Sequence, residues 1–78
     1  MALIKSFKQI PAFSGRLHRT EVDCGYAVFD HNGHAYLQLD TYGSNDRQIP
    51  GKVSQTLQLD AKAARALVTL ISTTFPGL

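Results

Sequence analysis

Apolar and polar residues alternate in the middle of this chain, as they do in β-strands that bury one face. Leucines recur at alternate positions within 35–42 and again within 53–59. A third run of strand-forming residues lies at 26–29, and Asn32-Gly33 separates it from the next strand. Asn-Gly between two such runs is the strongest short signal of a tight hairpin.

The C-terminal residues have the helical period instead. Asp60 is a good N-cap, and an alanine-rich run follows it. Pro76-Gly77 ends the predicted helix. Apolar positions at helical spacing form one line along it, here called the helix stripe. The helix stripe comprises Ala63, Leu67, Leu70, Ile71 and Phe75.

The N-terminal third is harder to assign. In residues 3–10 the spacing of apolar positions suits a helix, whereas their branched and aromatic content suits a strand; we favour an edge strand that ends at Pro11. Residues 16–30 predict a strand with one interruption, because Gly25 is typical of a bulge or bend.

This order of elements predicts an α+β fold in which an antiparallel sheet of three to four strands packs on one C-terminal helix. The sheet leucines at 37, 39, 57 and 59 would contact the helix stripe. The opposite sheet face would have no covering element. It is polar and aromatic and carries Tyr36, Gln38, Asp40, Tyr42, Ser54, Thr56 and Gln58.

Composition limits the class of protein. Seventy-eight residues form a single domain, 1–78, whose thin core favours association, and we expect a homodimer. One cysteine, Cys24, excludes an intrachain disulfide and favours a reducing compartment. The start of the chain lacks a signal-peptide pattern, and no run approaches about 18 apolar residues. We therefore expect a cytoplasmic protein without membrane contact. Its net charge of +2 permits an anionic partner.

The long turn between the last two strands, residues 42–55, carries the clearest candidate chemistry. Pro50-Gly51-Lys52 offers backbone N–H groups and a cation for a phosphate group, and Arg47 adds a planar guanidinium. Tyrosines on the neighbouring strand have the flat rings on which unpaired bases stack. These features predict single-stranded DNA or RNA binding. The candidate residues are Arg47, Lys52, Tyr36 and Tyr42, with Arg16 and Arg19 as helpers.

Metal binding and catalysis are less well supported. His31 and His34 flank the hairpin turn beside Asp30, but a metal site needs three or four converging ligands, so we predict no metal. Cys24 would need a base and an orienting group near it to act as a nucleophile, and no carboxylates pair as general acid and base. We predict neither an enzyme nor a cofactor. The alternative to nucleic-acid binding is a protein-binding module, such as an inhibitor that a mobile element encodes against host defence, acting through the open sheet face and the edge strand.

The second half of the chain, from Tyr36 through Pro50-Gly51-Lys52 to the helix, resembles the transcriptional coactivator family called positive cofactor four and its bacterial relatives. These are dimeric single-stranded-DNA-binding proteins with a four-stranded antiparallel sheet followed by a helix. The resemblance implies that Tyr42 is the aromatic residue at the strand end and Lys52 the cation of the turn. The family's helix tryptophan is absent, and alanines 63 and 64 stand in its place.

Overall fold

The computed structural model describes residues 1–11, 15–43 and 52–78. The four strands of these segments form one sheet in the order β1-β4-β3-β2, and a single helix follows. The α+β fold and the C-terminal helix are as predicted. The elements are β1 (Ala2–Ile4), β2 (Cys24–His31), β3 (His34–Tyr42), β4 (Val53–Leu59) and α1 (Ala61–Thr74).

The sheet is mixed, which corrects the prediction of an antiparallel sheet. β2 pairs antiparallel with β3, and β3 with β4, but β1 pairs parallel with β4. Tight connections force antiparallel pairing only on strands that follow each other directly. In the sequence, β2 and β3 lie between β1 and β4, so the connection allows these two strands to pair in either direction. The edge strand predicted over residues 3–10 is confirmed only in part, because strand structure ends at Ile4 and residues 5–11 are irregular.

The hairpin between β2 and β3 forms where the sequence predicts it. Asn32 and Gly33 have backbone φ angles of 53° and 80°. Positive φ at both central residues is the mark of a type I′ turn, whose twist matches that of the flanking strands. This turn sets a register that runs without interruption from His31 opposite His34 to Cys24 opposite Thr41.

The strand predicted from residue 16 is wrong in its first part. Residues 15–23 contain no strand and are exposed, and β2 begins only at Cys24. The apolar residues of this stretch, Leu17 and Val22, would lie on opposite faces of an extended strand. Because neither face would be apolar, the stretch offers nothing for a neighbouring strand or helix to bury.

Two apolar rows cross the sheet on one face. The strand register places four apolar residues directly opposite one another in each row. This surface is called the apolar face, and the predicted alternation of the sheet leucines is thereby confirmed. Its first row is Val28, Leu37, Leu59 and Ile4, and its second is Tyr26, Leu39, Leu57 and Ala2.

The helix covers little of this face. Among the described residues, the buried apolar side chains are Leu59 and Ala63, which are 2% and 1% exposed and lie at the β4–α1 junction. Exposure of the helix stripe then rises along α1. Leu67 is half-buried, whereas Leu70, Ile71 and Phe75 are exposed. The helix packs on the sheet as predicted, but burial of the stripe is limited to its start, and these three residues do not form a buried layer with the sheet leucines.

Asp60 is the helix N-cap, as predicted. Its Oδ1 accepts a hydrogen bond from the Ala63 backbone N–H at 2.8 Å, and its Oδ2 lies 3.3 Å from Lys5 Nζ. These contacts lower the pKa of the carboxyl; the Ala63 hydrogen bond is the largest cause, partial desolvation opposes it, and Lys5 adds to it. Asp60 thus joins the helix start to the segment after β1.

We predict that Gly33→Ala destabilises the fold by roughly 1–2 kcal/mol, the usual cost of a left-handed backbone for a residue with a Cβ. A Cβ at Gly33 would meet nothing within 4 Å, so the backbone conformation alone is tested. Urea unfolding at equal protein concentration measures the change. Asn32→Gly is the matched control, since glycine adopts positive φ freely. An unchanged urea midpoint for Gly33→Ala would contradict the type I′ turn.

We predict that Asp60→Asn lowers the melting temperature at pH 7 but not at pH 2. Asparagine caps a helix about as well as aspartate, so the variant removes mainly the charge. A lowered folded-state pKa stabilises the fold above the unfolded-state pKa of about 3.9, and this contribution is lost as pH falls through the folded value. Thermal unfolding followed by circular dichroism from pH 2 to 7 measures it. A gap between the proteins that persists at pH 2 contradicts the charge mechanism.

Candidate interaction surfaces

The apolar face and the helix stripe each carry exposed apolar side chains. On the sheet, Tyr26 is 78% exposed and Val28 is 70% exposed, and Leu57 is also exposed. On the helix, Phe75 is 57% exposed, and Val68 adds an exposed apolar side chain beside the stripe. Scattered exposed apolar residues are ordinary, but contiguous patches of this kind mark interaction sites.

The dimensions of the chain agree with this exposure. Its accessible surface is 7134 Å², whereas a folded monomer of 8.6 kDa exposes about 4,700 Å². Its radius of gyration is 14.9 Å, against about 11.5 Å for a compact domain of this length. A single copy therefore buries much less surface than a stable domain of its size.

On the opposite sheet face, four polar side chains form hydrogen bonds with one another within the chain. Thr56 Oγ1 donates to Asp40 Oδ1 at 2.7 Å, and Gln58 Nε2 donates to Gln38 Oε1 at 2.9 Å. Gln38 Nε2 in turn lies 3.3 Å from Asp40 Oδ1. We call these four residues the polar ladder. They join β3 to β4 through their side chains, and Thr56 is buried.

Aromatic rings occupy the hairpin end of the same face. The rings of Phe29 and Tyr36 stack with centroids 5.5 Å apart and an interplanar angle of 17°. His31 meets Tyr36 edge-on at 6.4 Å. Together with Leu3 and Gln58, these rings line an open cavity of about 230 Å³. Tyr36 thus makes two intramolecular aromatic contacts and also borders this cavity.

Tyr42 lies at the opposite end of β3, where it crosses the backbone of β2. A Cβ added at Gly25 would lie 2.6 Å from the Tyr42 hydroxyl, so the absence of a side chain at Gly25 makes room for the ring. The interruption predicted at Gly25 is therefore a close approach rather than a bulge. The irregularity lies between β3 and β4 instead, at Thr41 and Tyr42, where Tyr42 pairs with Val53.

The structure brings together only some of the predicted nucleic-acid-binding residues. Tyr42 and the exposed Lys52 are neighbours. Tyr42 pairs with Val53, the residue after Lys52, and the Lys52 carbonyl accepts a hydrogen bond from the Gly43 N–H. Tyr36 shares a face with Tyr42 but lies six residues away, roughly 20 Å at the rise of about 3.4 Å per strand residue. Arg16 and Arg19 are exposed in the irregular segment before β2. Arg47 lies outside the described residues.

Among the described residues, those considered for metal binding or catalysis do not converge on one site. His31 and His34 are directly opposite across the hairpin. In the described segments, His, Cys, Asp and Glu side chains form no group of three or more that could hold a metal ion. Cys24 is exposed at the first position of β2, whereas its place in a predicted strand favours a buried or half-buried cysteine.

The residues that sequence reasoning missed are Tyr26 and Val28. Their alternation in β2 marks them as members of one face, but only the register shows that this face is shared with the leucines of β3 and β4. In the part of the chain that the structure describes, no helix is long and apolar enough to cross a membrane. Comparison with protein-family models, curated protein sequences and solved structures found no match for this chain.

Proposed function

We propose that this chain is a non-enzymatic protein-binding module whose apolar face and helix stripe are covered by another protein chain. The observation that supports this function is the simultaneous exposure of both surfaces, from Tyr26 and Val28 on the sheet to Phe75 on the helix. Burying apolar surface releases about 25 cal/mol per Å², so leaving both surfaces in water is costly.

The chemistry of these surfaces favours a protein partner over a nucleic acid. None of the eight residues of the apolar face and none of the five of the helix stripe is charged. Phosphate backbones are gripped by cations and N–H donors, which these surfaces lack. Protein interfaces have apolar, aromatic centres of this kind with few charges.

The partner surface differs from the one that the sequence favours. The sequence-based hypothesis of protein binding uses the open polar and aromatic face, but there the polar ladder already pairs its members with each other. A side chain whose hydrogen bonds are made gains less from a partner than an apolar side chain that leaves water. The favoured surface is therefore the apolar face.

We predict that Val28→Lys abolishes association, because it places a charge that must be desolvated on the exposed β2 side of the apolar face. Sedimentation of the purified protein, and of nuclease-treated host extract to which it is added, reports complexes heavier than the 8.6 kDa chain. Leu17→Lys is the control, since Leu17 is apolar, exposed and outside both surfaces. A wild-type chain that sediments as a free monomer in both samples would refute the proposed function.

A nucleic-acid-binding role is a second candidate, supported by the exposed Lys52 beside Tyr42. This pair combines a cation with an aromatic ring at one end of the sheet, the arrangement that single-strand binders use to hold phosphate and stack bases. The exposed Arg16 and Arg19 add positive charge elsewhere on the surface. The site would not compete with a protein partner for the apolar face.

We predict that Lys52→Gln weakens binding to a labelled single-stranded oligonucleotide and makes the slope of log K against log salt shallower by about 0.7, one phosphate contact. Fluorescence anisotropy at several salt concentrations measures both quantities. Lys62→Gln is the matched control, because Lys62 follows the far end of β4. If wild-type protein does not bind at low salt, or binds with a salt-independent affinity, this second function is wrong.

A further inference from the structure

We infer that the partner chain is a second copy of this protein and that the two copies exchange their helices, each helix stripe covering the apolar face of the other copy. This inference rests on the proposed function and names the partner of the same two surfaces. It specifies a reciprocal geometry, which separates it from dimers formed by two sheets or by two helices.

Each chain carries two apolar surfaces that are buried only at the β4–α1 junction, at Leu59 and Ala63. The apolar face consists of two uncharged rows, and the helix stripe is a single uncharged line of apolar residues. α1 begins after a single residue, Asp60, whose backbone is extended at φ −86° and ψ 179°. Strand-to-helix connections usually take about 2–6 residues, and this one leaves no loop in which the helix could turn back over the strands.

Only the start of the helix stripe is buried. Ala63 is buried, Leu67 is half-buried, and Leu70, Ile71 and Phe75 are exposed. Contacts of α1 with the described sheet are concentrated on β4, the strand that it follows. The end of the stripe is therefore left exposed on its own chain, where the sheet of a second copy can cover it.

The accessible surface of one chain is large enough to supply the interface of an obligate dimer. The surface of one chain exceeds that of a folded monomer of equal mass by about 2,400 Å². If association buried only half of this excess on each of two copies, the interface would total about 2,400 Å², within the range of about 2,000–5,000 Å² for obligate dimers. The irregular segments can account for the remaining half.

Twofold symmetry also favours a second copy as the partner. In a twofold dimer every contact occurs twice, so one helix-on-sheet fit covers both helices and both sheets at once. A different protein would need to supply both a ridge for the apolar face and a surface for the helix stripe. A second copy supplies both without any further requirement.

The experiment uses the full chain and two charge substitutions, Val28→Lys on the apolar face and Leu70→Glu on the helix stripe. Sedimentation equilibrium should give about twice the 8.6 kDa chain mass for the wild type and a monomer for each variant alone. Mixing the two variants should restore a dimer, because the intact helix of the Val28→Lys chain can cover the intact apolar face of the Leu70→Glu chain. In the second contact between the copies, the two introduced charges meet and are of opposite sign. Leu17→Lys and Thr69→Glu, which lie outside both surfaces, should remain dimeric.

Four results would overturn the inference. If the variant mixture stays monomeric while each variant keeps its far-ultraviolet circular dichroism, the exchange is wrong. If only one of the two substitutions dissociates the dimer, a sheet–sheet or helix–helix interface replaces it. If the wild type is monomeric alone but forms a nuclease-resistant complex with a different protein, the copy is the wrong partner and the proposed function stands. A monomer with no complex refutes both.

Discussion

The junction between β4 and α1 is the constraint on which the rest of the structure depends. A single residue, Asp60, ends the strand and caps the helix, with its carboxylate bound to the Ala63 N–H and beside Lys5 Nζ. Because the cap is made directly after the strand, the direction of the helix is set before any loop can redirect it. The side chains at the junction, Leu59 and Ala63, are buried, whereas Leu67 is half-buried and the rest of the helix stripe is exposed.

This geometry has an energetic consequence for a single copy. Folding must offset the loss of conformational entropy mainly by burying apolar surface, and the net stability of small domains is marginal. A chain that leaves Tyr26, Val28 and Phe75 exposed forgoes much of that gain. When the missing burial is supplied by a partner, stability becomes dependent on protein concentration. Folding and association of this chain are then one coupled process.

The two sheet faces are stabilised in different ways. The polar ladder connects β3 and β4 by side-chain hydrogen bonds, and the stacked rings of Phe29 and Tyr36 connect β2 to β3 at the hairpin end. These contacts are complete within one chain. The apolar face has no comparable internal partner among the described residues, so it is the face through which association gains most. Such an assembly leaves accessible the end of the sheet that carries Tyr42 and Lys52.

Local features of the sequence determined the elements themselves. Asn32-Gly33 specified its hairpin because few residue pairs adopt positive φ twice in succession, and Asp60 specified the helix start because its side chain accepts from the first turn. The alternating leucines of β3 and β4 specified a common face, since the side-chain period of a strand is two. These signals act over a few residues, so they can be recognised without the rest of the fold.

Only the tertiary structure decided how those elements combine. The parallel pairing of β1 with β4 joins residues more than fifty positions apart, and no local pattern encodes its direction. The separation of Tyr36 from Lys52 likewise depends on the length and register of β3, although both residues carry chemistry suited to one site. Above all, periodicity identified the apolar face and the helix stripe but not whether they meet. That depends on how the junction directs the helix, and in this chain the two surfaces are buried only at the junction itself, at Leu59 and Ala63.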